Sequence, residues 1–156
     1  MSDAEVASFL AEERTLTCAT IGPRGWPHLM PLWYVARTPS PEGPGPRLWS
    51  WTYAASQKVR NLERDARAGV QVEAGRDEYH LLRGVMLETE VALHRDLDDV
   101  TSLGLEIFRR YGGGQDGELA GDVRAVVEQQ AAKRVGLEFV EHSRATWDHR
   151  KLGNVY

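Results

Sequence analysis

Short β-type runs dominate the first half of the chain, and helical periodicity takes over in the second. Residues 15–21, T-L-T-C-A-T-I, are rich in β-branched side chains and predict a strand. The tight G-P-R-G connection at 22–25 leads into a partner strand over 26–35. Pro27 and Pro31 remove ladder donors, so this partner is expected to be irregular or at a sheet edge. Further strands are predicted over 48–53, 70–74 and 79–93. Gly84 in the last of these marks a bulge or a sharp barrel corner. Residues 135–140 alternate with period two, and a last short strand is expected over 145–147.

Four helices fill the gaps. The first covers 3–13, capped by Ser2 or Asp3, with Val6, Phe9 and Leu10 on one face. The second covers 56–65 with Ser56 at its cap. The third covers 96–111 with Val100, Leu103, Ile107 and Phe108 on one face, broken by the glycines at 112–114. The fourth covers 118–133 with Leu119, Val123, Val126 and Val127 inward. The proline-rich stretch 38–46 reads as an exposed loop rather than a linker, because the pieces on either side are too short to fold alone. Antiparallel hairpins dominate, no βαβ rhythm appears, and no G-x-G-x-x-G occurs. The pattern therefore predicts one α+β domain over 1–156, a small antiparallel barrel of six or seven strands with flanking helices.

Composition narrows this picture. A chain of 156 residues buries roughly 70% of its unfolded surface and needs no disulfide or metal staple. The one cysteine, Cys18, sits in an apolar run and reads as a small buried hydrophobe. The five histidines are scattered without ligand spacing, so no metal site is expected. A net charge of −4 argues against general nucleic-acid binding but leaves room for a local basic pocket. The start M-S-D-A-E lacks the marks of a secretory signal. The longest uncharged run, 25–36, is too short and too proline-broken to span a bilayer. A soluble, cytoplasmic protein is expected.

Motifs for acyl transfer, zinc proteolysis, nucleotide phosphate and calcium are all absent. Four segments remain. S-Q-K-V-R-N-L-E-R-D at 56–65 places Lys58 in the first turn of a helix, where a cation opposes the dipole. A bound anion reverses that penalty, and Asn61 projects on the same side, so the segment reads as a phosphate cradle. Its other reading is a solvated amphipathic helix with Val59 and Leu62 inward. In L-W-S-W-T-Y at 48–53, Trp49 and Trp51 share one face, Ser50 and Thr52 the other. The pair is either core or aromatic surface for a planar ring whose phosphate meets the hydroxyls. H-L-M-P-L-W-Y-V at 28–35 is an edge strand, or one whose freed backbone groups face a heterocycle. The ending T-W-D-H-R-K-L-G is either a disordered terminus or a tail docked through Trp147 and Leu152.

Together these segments resemble the split-barrel flavin-binding superfamily of pyridoxamine phosphate oxidase. Within it they are most similar to the actinobacterial branch that uses the deazaflavin coenzyme F420. The resemblance rests on the hairpin L-T-C-A-T-I-G-P-R-G-W-P-H-L-M-P-L-W-Y-V, on S-Q-K-V-R-N-L-E-R-D-A-R and on W-D-H-R-K-L. It implies a homodimer with two cofactor sites at the interface. Lys58 and Asn61 match the positions that hold the cofactor phosphate, with Ser56, Gln57 and Thr52 close by. Met30, Pro31, Leu32 and Trp33 match the segment beside the ring system, with Trp51 near it. Tyr79 and the tail around Trp147 are expected to reach in from the other subunit. Where such sequences usually carry proline after the aspartate of the second motif, Asp65 is here followed by Ala66.

Three functions are carried forward. The first is a reductase passing hydride from reduced coenzyme F420 to an unsaturated or quinone-like small molecule. A basic groove of Arg60, Arg64, Arg67, Arg150 and Lys151 would take its anionic oligoglutamate tail. The second is an FMN-binding oxidoreductase, and the third a non-catalytic flavin or haem carrier or sensor. No residue stands out as a general acid or base, and hydride transfer requires none.

Overall fold

The computed structural model describes residues 1–37, 46–112 and 121–153, with Gly121 and Asp122 as backbone only. Seven strands form one antiparallel sheet: β1 (Thr15–Ile21), β2 (Pro27–Trp33), β3 (Val35–Arg37), β4 (Arg47–Tyr53), β5 (Arg67–Ala74), β6 (Arg83–His94) and β7 (Arg134–Asp148). Their order across the sheet is β2-β1-β5-β6-β7-β4-β3. The sheet curls into a half-barrel. Among the described residues four α-helices accompany it: α1 (Asp3–Glu12), α2 (Gln57–Arg64), α3 (Leu97–Tyr111) and α4 (Gly121–Ala131). No helix among these residues is long and apolar enough to cross a membrane.

Strict alternation builds the inner wall. Leu16 and Cys18 of β1, Val70 and Val72 of β5, Val85, Leu87 and Val91 of β6, and Leu137 and Phe139 of β7 are all buried. Val6, Phe9 and Leu10 of α1 close one side of this core, and Val59 and Leu62 of α2 join it. Ser2 caps α1 in a reciprocal capping box with Glu5. Asp96 caps α3 by accepting from the amides of Asp98 and Asp99. Tyr34 is fully buried and donates its hydroxyl to Leu10 O at 2.8 Å, tying the sheet to the end of α1. Tyr34→Phe is expected to cost about 1 kcal/mol in urea denaturation, the net worth of one buried hydrogen bond.

Several boundaries differ from the sequence pattern. The partner strand expected over 26–35 divides at Tyr34. β2 pairs with β1, and β3 swings across to pair with β4. β2 does lie at the sheet edge, as its prolines require. The expected fifth strand begins at Arg83, because Tyr79–Leu81 forms a 3-10 turn. The short strand expected over 145–147 is the continuous end of β7. The irregularity in the β6–β7 pairing falls opposite Glu88 and Thr89, where His142 of β7 is the extra residue, and not at Gly84. Gly84 serves another need: a Cβ there would overlap the Trp147 ring and lie 2.7 Å from Val72 O. The fourth helix is described from Gly121. The expected start at 118, Leu119, the proline-rich loop over 38–45 and the end of the glycine break lie outside the described residues.

The outer face of β1, β2, β5 and β6 exposes Ile21, Leu29 and Met86. A shallow concavity of about 610 Å³ runs across it, lined by Ala19, Ile21, Gly69, Met86 and their neighbours.

Candidate cofactor site

The helix α2 is short and strongly two-sided, and its inward side is not purely apolar. Lys58, Val59, Asn61 and Leu62 are all buried. Val59 and Leu62 supply the anchoring burial, and their i, i+3 spacing forces Lys58 and Asn61 inward beside them. Asn61 is fully buried and donates from Nδ2 to Thr20 Oγ1 at 3.0 Å. Its Oδ1 accepts from Gln57 Nε2 at 2.9 Å. These bonds fix the amide's orientation and consume one hydroxyl of β1.

Lys58 is only 7% exposed, and its Nζ donates to Thr52 Oγ1 at 3.0 Å. Among the described residues no carboxylate lies within ion-pair distance of it. Burial pushes its pKa down. An ammonium has three protons to donate, and a buried one without a counter-charge is expensive. The neighbouring Cys18 offers no compensation, because burial holds its thiol neutral, with a pKa pushed up to about 12.

Ser56 sits at the N-cap with extended backbone, yet its side chain makes no capping bond. Its Oγ is buried and has no partner. Ser56 is thus the N-cap residue, as the sequence predicts, but its hydroxyl makes no capping bond and is left free beside the first turn. The same end of the barrel holds a cavity of about 320 Å³, lined by residues of the β1–β2 turn, His28 and Gln57. A free hydroxyl, an ammonium without a counter-charge and the first-turn amides of a helix together form the donor set that a phosphate needs.

The structure brings together some of the expected site residues and separates others. Thr52, Ser56, Gln57, Lys58 and Asn61 converge at one end of the barrel. Met30 and Leu32 lie opposite Cys18 and Leu16 and so share the inward face of the hairpin. Pro31 and Trp33 alternate to the other face, where Trp33 stacks on Tyr111 with ring centroids 4.6 Å apart. Trp51 also lies across β4 from Thr52. It packs against Gly104 of α3, with the Arg134 guanidinium 4.6 Å from its ring centroid.

Tyr79, Trp147, Arg150 and Lys151 gather at the opposite end of the sheet. Thr20 pairs with Ala68 near α2, whereas Ala74 pairs with Arg83 and Arg83 with Asp148. Six residues of strand, roughly 20 Å, separate the two ends. The tail is docked. His149 Nδ1 lies 3.0 Å from Tyr79 O, and the two rings meet at 4.7 Å. Three cations assigned to a basic groove are already engaged: Arg67 with Asp65, Arg150 with Asp148 and Lys151 with Glu5, each at 2.7 Å. The hydrogen bond from Lys151, before any other cause, holds the Glu5 carboxyl down at about 2. Arg64 donates to Ile21 O. Within one chain, therefore, Arg67 lies at the α2 end of the sheet and Arg150 and Lys151 at the other, each paired to a carboxylate.

Thr20 and His28 escaped the sequence reading. Alternation from Leu16 and Cys18 places Thr20 inward, and a lone polar residue in an apolar register was the available signal. His28 follows from the same register, as the cross-strand neighbour of Thr20. No group of three or more metal-ligating side chains occurs among the described residues.

Comparisons with known proteins agree with this architecture. The chain is similar along its whole length to the conserved hypothetical protein Rv2991 from Mycobacterium tuberculosis. The two share 38% identity and a TM-score of 0.83, over 100% of this chain and 90% of that one. An F420 reductase superposes with a TM-score of 0.63 at 20% identity, over 88% of this chain and 94% of its own. The haem storage protein HutZ from Vibrio cholerae superposes at 0.65 with 15% identity, over 93% and 92%. The last two likenesses establish the fold alone. No curated protein matches the chain. The family model for pyridoxamine 5'-phosphate oxidase matches residues 2–138. Sheet order, inward-facing α2 and family match lead to one assignment: this chain belongs to the pyridoxamine 5'-phosphate oxidase family of flavin-type split barrels.

Proposed function

We propose that this protein holds the phosphate of a flavin-type cofactor at Lys58, and that the cofactor is coenzyme F420, used to reduce a small unsaturated or quinone-like molecule. One observation carries the phosphate site: Lys58 is a buried ammonium with no carboxylate partner. An anion arriving there meets a charge already stripped of water, so it gains the full pairing energy without a second desolvation of the lysine. Ser56 Oγ supplies a second donor, and Asn61 keeps Gln57 aligned at the rim. Met30 and Leu32 offer apolar contact to the ring system. When bound, the cofactor supplies the hydride chemistry, and the protein supplies orientation and water exclusion.

A homodimer completes this reading. The apolar outer face with Ile21, Leu29 and Met86 is the surface that a second copy would cover. Pairing there would let Tyr79, Trp147, Arg150 and Lys151 approach the partner's α2 end, with Pro31 and Trp33 on the same outer face of β2. The protein would then be a cytoplasmic dimeric oxidoreductase.

FMN is the second reading, and a specific observation favours it. With Arg67, Arg150 and Lys151 paired to carboxylates, few cations are left to hold an oligoglutamate tail. The two cofactors are separated by titrating purified apo-protein with each and following tryptophan fluorescence. Tighter binding of F420 by tenfold or more is the expected result. Tighter binding of FMN moves the assignment to an FMN oxidoreductase, and binding of neither rejects the phosphate site. Binding without turnover of any quinone or enone acceptor points to a carrier or sensor.

A further inference from the structure

The turn between β1 and β2 is held in one shape. Gly22 N donates to Trp26 O at 2.8 Å, and Gly25 N donates to Gly22 O at 3.0 Å. Gly25 takes a φ of 80°, in the left-handed region where a side chain is strained. This frame presents two side chains. Arg24 is exposed and has no hydrogen bond or ion pair among the described residues. Trp26, 75% exposed, is the most exposed large apolar side chain among them.

An exposed tryptophan alone means little. Here it lines the 320 Å³ cavity together with the unpaired guanidinium of Arg24. Pro23 and Pro27 add apolar surface, and His28 and Gln57 add polar groups. Neither Lys58 nor Ser56 lines this cavity, so it is distinct from the phosphate site. No carboxylate lines it either, which leaves one uncompensated positive charge. His28 Nδ1 is buried without a partner, the mark of a place where a polar group is missing. A neutral imidazole can carry its hydrogen on Nδ1, so it can donate without any change of charge.

These features define a ligand. A single guanidinium matches a carboxylate, which it can hold with two parallel hydrogen bonds. The indole and the two proline rings match a flat apolar body. The volume is at the lower end of cavities that take small molecules. We propose that the cavity at the β1–β2 turn is a separate binding site for a small aromatic carboxylic acid, with its carboxylate on Arg24 and its ring against Trp26. The rigid turn holds both groups in place beforehand, so little ordering opposes binding. The site stands independently of the phosphate-site reading.

The test is titration of the intact protein with naphthoate and with the uncharged alcohol of the same ring, followed by NMR at the Trp26 indole N–H and the Gln57 side-chain amide. Naphthoate is expected to bind with a Kd of about 1 mM or tighter and to shift both signals. Arg24→Gln and Trp26→Ala, both at exposed turn positions, should each weaken it about tenfold. The alcohol should bind more weakly than the acid to the wild type and equally to Arg24→Gln. Lys58→Met should leave naphthoate binding unchanged. No shift at either signal, or binding indifferent to Arg24→Gln and Trp26→Ala, overturns the site. Loss of naphthoate binding in Lys58→Met also overturns it, by placing the acid at the phosphate site. None of these results bears on whether Lys58 holds a cofactor phosphate, which the FMN and F420 titrations decide.

Discussion

Lys58→Met is expected to leave the ligand-free protein as stable as the wild type or more so, while removing cofactor binding. Most buried charges are held by a partner, and deleting one strands the other. Here Lys58 has only the Thr52 hydroxyl, so removing the ammonium strands no charge. A methionine of similar length fills the space, and replacing such a charge is neutral or stabilising by about 1–2 kcal/mol. Binding should weaken at least about 100-fold, or roughly 3 kcal/mol, the scale of a charge-assisted contact in a dry site. The pH dependence has a definite sign. Burial lowers the folded-state pKa of Lys58 below its unfolded value. The folded chain then binds fewer protons, and ligand-free stability rises as pH climbs from the folded value toward the unfolded one. That rise should vanish in Lys58→Met. Thermal melts at several alkaline pH values with and without cofactor measure all three effects. A destabilised ligand-free variant that still binds would mean the lysine is a structural prop.

Gly84→Val is expected to cost about 3 kcal/mol or more in urea denaturation. Gly84 lies within β6, paired to Glu73 of β5 on one side and to Trp147 of β7 on the other. A Cβ would overlap the Trp147 ring and sit 2.7 Å from Val72 O. Neither strand can move away without breaking its ladder, so overpacking is relieved only by expelling the indole. Since Trp147 begins the docked tail, the variant should also release residues 149–151 from Tyr79 and Glu5. Adding Trp147→Ala should recover part of the loss, a coupling of about 1–2 kcal/mol in a double-mutant cycle. Additive losses would mean that the glycine answers to the Val72 carbonyl alone.

Local pattern carried much of the fold. The alternation in T-L-T-C-A-T-I marks β1 from end to end, because one face meets the core and the other does not. The prolines of β2 announced its edge position for an equally local reason. What local pattern cannot carry is a strand changing partners without a turn signal. Y-V-A-R reads as more of β2, yet Val35 pairs with Trp49. The irregularity opposite Glu88 and Thr89, at His142 of β7, has no glycine to mark it, whereas Gly84, read as a bulge or a barrel corner, yields space to a tryptophan over 60 residues away.

The site divides in the same way. Lys58 and Asn61 were legible because helical spacing ties them to Val59 and Leu62, whose burial drags them inward. The aromatic half was not. Alternation already placed Trp51 on the face opposite Thr52, and the structure spends that face on α3. For the basic residues, sequence counts cations, but only the structure shows that Arg67, Arg150 and Lys151 pair with Asp65, Asp148 and Glu5 within one chain.

The most direct test of this account is a crystal structure of the protein loaded with whichever of FMN and coenzyme F420 it binds more tightly, read for the distance from the phosphate oxygens to Lys58 Nζ. The account predicts a phosphate within hydrogen-bond distance of Lys58 Nζ and Ser56 Oγ. A cofactor phosphate resting elsewhere, with Lys58 still bonded only to Thr52, would contradict it.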